Sequence, residues 1–191
     1  MESGTSRVHR QRVSSGWEEL DAQIGGLPRP GLMELRGPMG SGRTRIVFRF
    51  IAATTTRGQR VAWVDSEHTL YPPVALQQDL DPRHWALIRP SRSSDDDVAW
   101  VVEQLLRSGC FPLVLVDVPR AMTLRHIGYR WARASEQGGS TAILLTQRPY
   151  RGLPVEVRLQ VGGGGVRILK DRDHTATGGR KKFLFCDPLW R

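Results

Sequence analysis

Cysteine is scarce: Cys110 and Cys186 are the two in the chain. That is too few for a disulfide framework, so a reducing compartment is expected. No apolar run approaches the roughly 20 residues needed to cross a bilayer, and no spanning helix is expected. The opening residues lack the apolar core of a secretion signal, so export is not expected. Acidic residues are outnumbered, 19 against 28 Lys+Arg, which leaves a formal charge of +9. That excess favours a polyanion or an acidic protein as partner without deciding between them. No His/Cys cluster has the spacing of a metal site, and no metal is expected.

What is present suits one folded unit. A chain of 191 residues with 39% hydrophobic and 25% charged content can bury a core and is not wholesale disordered. Residues 1–12 are polar and basic (Arg7, His9, Arg10, Arg12) and read as a flexible arm. Residues 13–186 read as the core domain, and 187–191 as a short tail. The stretch Val13 to Ile24 reads as one short helix capped by Ser14 or Ser15. Strands are expected at 32–36, 61–65, 113–117 and 141–146, with helices at 44–56, 95–109 and 123–137 between them. In 95–109 the apolar residues Val98, Val101, Val102, Leu105 and Leu106 recur at helical spacing behind three aspartates. Buried strands alternating with helices call for an α/β fold, a mainly parallel sheet flanked by helices. After Pro149, Val155, Val157, Leu159 and Val161 alternate with other residues, and Gly162 to Gly165 make a turn. This period of two predicts an antiparallel C-terminal extension of the sheet.

The segment Gly37-Pro-Met-Gly-Ser-Gly-Arg-Thr44 fits a phosphate-binding loop at every fixed position but one. Gly37, Gly40 and Gly42 would let backbone N–H groups curl around phosphate oxygens, and the hydroxyl of Thr44 would serve Mg²⁺. Arg43 stands where lysine is usual. Its broad planar fork replaces a compact point charge, so efficient γ-phosphate chemistry is not expected, and ATP with Mg²⁺ is at most a weak ligand. Asp117 ends an apolar strand, as an acid holding Mg²⁺ through water would. Glu67 follows the strand at 61–65 and could orient an attacking water; Gln147 ends a third strand and could sense the γ-phosphate. In an open parallel sheet Asp65, Glu67, Asp117 and Gln147 should converge with the loop at the strands' carboxyl ends.

Together these motifs resemble the RecA recombinase family. Val13 to Asp21 followed by Gly25-Gly-Leu-Pro28 is similar to that family's approach to its core strand. Val61 to Leu70, Leu113 to Asp117 and Ile143 to Gln147 are similar to three of its strand motifs. The resemblance implies a RecA-like phosphate-loop core, with Glu67 as water activator, Asp117 as the Mg²⁺ acid and Gln147 as the link between nucleotide and DNA. Ile168 to Arg172 resembles the strand bearing two cations that reach a neighbouring subunit's ATP, here Lys170 and Arg172. The chain departs from the family where its N-terminal polymerisation module and C-terminal domain would lie. Both DNA-binding loops are short, and the adenine-holding residues near Tyr71 to Val74 are not matched.

A shortened core of this kind is similar to the ImuA family of bacterial mutasome subunits. That resemblance implies a non-catalytic accessory protein in SOS, DNA-damage-induced translesion synthesis, nucleoid-associated in the cytoplasm. The implied partners are RecA, an ImuB-type Y-family polymerase homologue and an error-prone C-family polymerase complex. DNA is a further candidate, and the alternative is a weak recombinase-class ATPase that binds DNA.

Candidate contact residues follow Gln147 (Arg148, Tyr150, Arg151) and crowd the C-terminal strands (Lys170, Arg172, Arg180, Lys181, Lys182), where a basic surface meets either nucleic acid or protein. Trp63 and Trp131 are expected in the core. Trp17, Trp85 and Trp190 are candidate interface anchors.

Overall fold

The computed structural model describes residues 11–73, 80–90, 94–173 and 182–184. Among these, an eight-stranded sheet runs in the order β10-β9-β8-β3-β7-β6-β4-β5. Its parallel members are β3 (Gly31–Arg36), β4 (Val61–Asp65), β5 (Trp85–Ile88), β6 (Leu113–Asp117), β7 (Thr141–Thr146) and β8 (Val157–Gly162). Antiparallel to them, β9 (Gly165–Asp171) and β10 (Lys182–Leu184) extend one edge. A separate ribbon pairs β1 (Gln11–Val13) with β2 (Leu27–Arg29).

Apolar side chains on both faces of the central strands require cover on both sides, and the helices supply it. One core packs Met33, Leu35, Trp63, Leu115 and Ile143 under α2 (Arg43–Thr56) and α1 (Glu18–Ile24). The other packs Leu32, Val64, Val114, Val116 and Leu144 under α3 (Asp95–Arg107) and α4 (Arg125–Gly138). Helix α3 starts where its sequence signals say. Ser94 Oγ accepts the N–H of Asp97 at 3.1 Å, and three aspartates complement the helix dipole. Trp131 is buried, and its indole N–H donates to the carbonyl of Ala99 at 3.0 Å, tying α4 to α3.

Several expectations are corrected. Residues 11 and 12 of the expected arm belong to β1. Arg12 bonds Asp171 at 2.9 Å and Asp173 at 2.7 Å, so this part of the arm is fastened to the end of β9. Residues 1–10 and the tail at 187–191 lie outside the described residues. The first helix begins at Glu18, not Val13. Ser15 Oγ accepts the N–H of Trp17, and Asp21 accepts the N–H of Ser15 at 3.0 Å, so the serines shape a turn ahead of the helix. Strand β8 is parallel to β3, although its residues alternate between buried and half-buried. Alternation reports which strand face is covered, not strand direction. The antiparallel extension starts only after Gly163 and Gly164, whose φ angles of 59° and 71° make the tight hairpin.

Strand β5 is an element that the sequence reading missed. Trp85 lies in it, half-buried and packed on the core, and Trp17 is buried. Neither is a free surface anchor. Trp190 lies outside the described residues, while Trp63 is buried as expected. Among the described residues no helix is long and apolar enough to cross a membrane.

Candidate phosphate site

Strand register sets the site. Asp65 pairs with Asp117, Asp117 with Leu145, and Thr146 with Arg36, so these strands end nearly level at one edge. The loop of Gly37 to Gly42 springs from that edge into α2. Gly40 and Gly42 take left-handed φ angles of 74° and 93°, which side chains resist. A Cβ on Gly37 would lie 2.6 Å from Ser41 Oγ and from the carbonyl of Val161, so close packing also demands glycine there.

A cavity of about 610 Å³ opens here, and Gly40, Gly42, Arg43, Thr44, Asp117 and Gln147 all line it. The hydroxyl of Thr69 donates to Asp117 at 3.0 Å. Burial raises the Asp117 carboxyl above its ordinary value, opposed by the Thr69 bond and by Arg43. Burial also lowers Arg43, and the carboxylates of Asp117 and Glu67 oppose that shift. Arg43 Nη1 and Ser41 Oγ are buried without hydrogen-bond partners. Two unused donors, left-handed glycines and the N-terminus of α2 fit a phosphate group. Thr44 and Asp117 are the residues that would hold its Mg²⁺, which neutralises phosphate charge when bound.

Two carboxylates sit differently from the expectation. Glu67 is exposed, and its Oε1 accepts the backbone N–H of Arg120 at 3.0 Å. Asp65 is fully buried and is not among the residues that line the cavity. It accepts the Thr69 N–H at 2.9 Å and pairs with Arg89 at 2.9 Å, so it braces the turn carrying Glu67. Thr69 and Ser41 were missed as site residues. Neither hydroxyl sits at a position whose spacing marks it, and only the fold brings Thr69 to Asp117.

The basic candidates divide. Arg148 Nη2 donates to the carbonyl of Met122 at 3.0 Å, and its guanidinium lies 4.9 Å from the Tyr150 ring centroid. The Tyr150 hydroxyl donates to the carbonyl of Pro119 at 3.4 Å. Both therefore pin the segment after Gln147 to the segment after Asp117, while Arg151 is exposed. Lys170 pairs in register with Arg158, and the end of β9 faces the start of β3, opposite the phosphate loop. Lys170 Nζ donates to the carbonyl of Val155, and Arg172 pairs with Glu156 at 3.5 Å. Burial lowers the Lys170 ammonium. Lys182 pairs in register with Arg167; Arg180 and Lys181 lie outside the described residues.

Fold and site together define a phosphate-loop α/β core. The family model of the RecA N-terminal domain matches residues 1–140, and the chain belongs to that family. Protein RecA of Streptomyces venezuelae is 29% identical over 181 residues, covering 88% of this chain and 46% of that protein. Protein RecA of Prochlorococcus marinus is 34% identical over 121 residues, covering 63% and 32%. A plasmid RecA of Lactococcus lactis is 31% identical over 124 residues, covering 64% and 36%. The chain thus spans about half, or less, of the length of these relatives.

Proposed function

We propose that this chain is a non-catalytic RecA-like accessory protein of SOS-induced translesion synthesis. It binds RecA, an ImuB-type Y-family polymerase homologue, or both, on the bacterial nucleoid, and through them meets the C-family polymerase complex. The observation that carries this reading is the state of the phosphate site. A half-buried guanidinium fills the lysine position, and the carboxylate that would activate water is bonded to a backbone amide. Hydrolysis needs a compact cation between the phosphates and a carboxylate that reaches the site to orient water, and Glu67 is not among the residues lining the cavity. A second support is the placement of Lys170 and Arg172 at the sheet end opposite the chain's own phosphate loop. From there they serve a second molecule better than their own site.

A pull-down of purified RecA and of the ImuB-type homologue with the full chain, with and without ATP, tests it. Capture of either at micromolar concentration, without ATP turnover, is the expected result. Capture of neither overturns the accessory reading. A second reading, a weak ATPase that binds DNA, draws on Thr44, Asp117 and Gln147 lining one cavity. Turnover of labelled ATP that Glu67→Gln abolishes would favour it.

A further inference from the structure

The geometry points to a phosphate site that carries its own substitute for a divalent cation: the Arg43 guanidinium balances Asp117, and nucleoside di- and triphosphates bind without Mg²⁺. This rests on the reading that the chain is non-catalytic.

Arg43, Thr44 and Asp117 line the same cavity, so cation and acid share one space. The acids nearest Arg43 already have donors. Asp117 accepts the Thr69 hydroxyl at 3.0 Å, and Glu67 accepts the Arg120 N–H at 3.0 Å. Arg43 adds a permanent positive charge that acts on Asp117, and the carboxylates of Asp117 and Glu67 act on it in return. A divalent ion entering beside Asp117 must therefore compete with a tethered cation already present. The loop, meanwhile, keeps donors in reserve, since Arg43 Nη1 and Ser41 Oγ are buried and unpartnered. A guanidinium fork matches phosphate oxygens in pairs, so these donors suit a phosphate without a bridging metal.

The arrangement makes Asp117 a competitor of the phosphate for Arg43. In a metal-dependent site the same residue would assist binding through Mg²⁺. Removing its charge therefore has opposite consequences in the two cases.

Calorimetric titration of the full chain with ADP, in excess EDTA and in excess MgCl₂, reads the difference directly. Wild-type affinities in the two buffers are expected to agree within about threefold, and Asp117→Asn to tighten binding in EDTA by about three- to tenfold. Arg43→Gln should abolish binding in EDTA while its circular dichroism melting curve stays that of a folded protein. A loss of about tenfold or more for the wild type in EDTA would overturn the inference, as would weaker binding by Asp117→Asn. Absence of ADP binding in both buffers overturns it too. Metal-dependent binding without turnover would sink this inference and leave the non-catalytic reading standing. Rapid turnover would sink the non-catalytic reading itself.

Discussion

Glu67 accepts the backbone N–H of Arg120 at 3.0 Å, which ties the would-be water activator to the loop that follows Asp117. Its turn is braced from below, because buried Asp65 accepts the Thr69 N–H and pairs with Arg89. A carboxylate so held is also not among the residues that line the cavity, so it must move before it can orient a water there. Restoring the usual cation should therefore not restore chemistry. Arg43→Lys is expected to keep ATP turnover within about threefold of wild type in a phosphate-release assay. A rise of about a hundredfold would show that the guanidinium alone blocks hydrolysis and that Glu67 is free to act.

Arg158 on β8 reaches Glu34 on β3, whose other oxygen accepts the Thr146 hydroxyl at 2.8 Å. Glu34 is fully buried, and a second nitrogen of Arg158 donates to the carbonyl of Tyr150. Deleting one partner leaves a charge stranded in the sheet. Arg158→Met is thus expected to cost about 3–5 kcal/mol in urea unfolding. Pairing it with Glu34→Met should recover most of that loss, since an apolar pair leaves no stranded charge. A single variant within about 1 kcal/mol of wild type would mean that the carboxylate finds water or another donor.

Much of this was legible beforehand, for identifiable reasons. The central strands β3, β4, β6 and β7 are short apolar runs on both faces, and α3 carries a serine cap, three aspartates and a helical apolar stripe. The loop at 37–44 is legible because glycine geometry and charge constrain it position by position. Direction and edge pairing were less so. Strand β8 alternates because only one of its faces is fully covered, and that pattern is shared by parallel and antiparallel strands. Trp17 reads like an interface anchor because exposed tryptophan is enriched at binding hot spots, yet here it is packed into the core at 5% exposure. Asp65 reads like a site acid because it ends a strand. Its pairing with Arg89, which lies 24 residues further on, is a tertiary fact.

Gly138, in the last turn of α4, is held by contact rather than by conformation. A Cβ there would lie 1.9 Å from the carbonyl oxygen of Leu106, at the end of α3. Both partners are backbone at this point, so neither can swing aside. Gly138→Ala, which elsewhere in a helix would favour folding, is expected to destabilise by about 1–3 kcal/mol through forced separation of the two helices. Gly139→Ala is the useful contrast. It meets nothing within 4 Å but has a φ of 64°, so its cost is conformational. An unchanged melting temperature for Gly138→Ala would show that the helix ends part without penalty.

Asp117 links the site to pH. Burial raises its carboxyl in the folded state, and neither the Thr69 hydroxyl nor Arg43 fully reverses that shift. Between the unfolded value of about 3.9 and the raised folded value, the native chain holds a proton that the unfolded chain has released. Stability therefore falls as pH rises through that window and levels off above it. Asp117→Asn keeps a similar shape and cannot titrate, so its profile lacks this descent. Urea unfolding across acidic to neutral pH is expected to show wild type losing ground to the variant as pH rises, with a constant gap beyond the folded value. Parallel profiles would mean that the carboxyl is not raised. A gap that opens as pH falls would mean that Arg43 and Thr69 outweigh burial, and Asp117 would then be a stabilised anion.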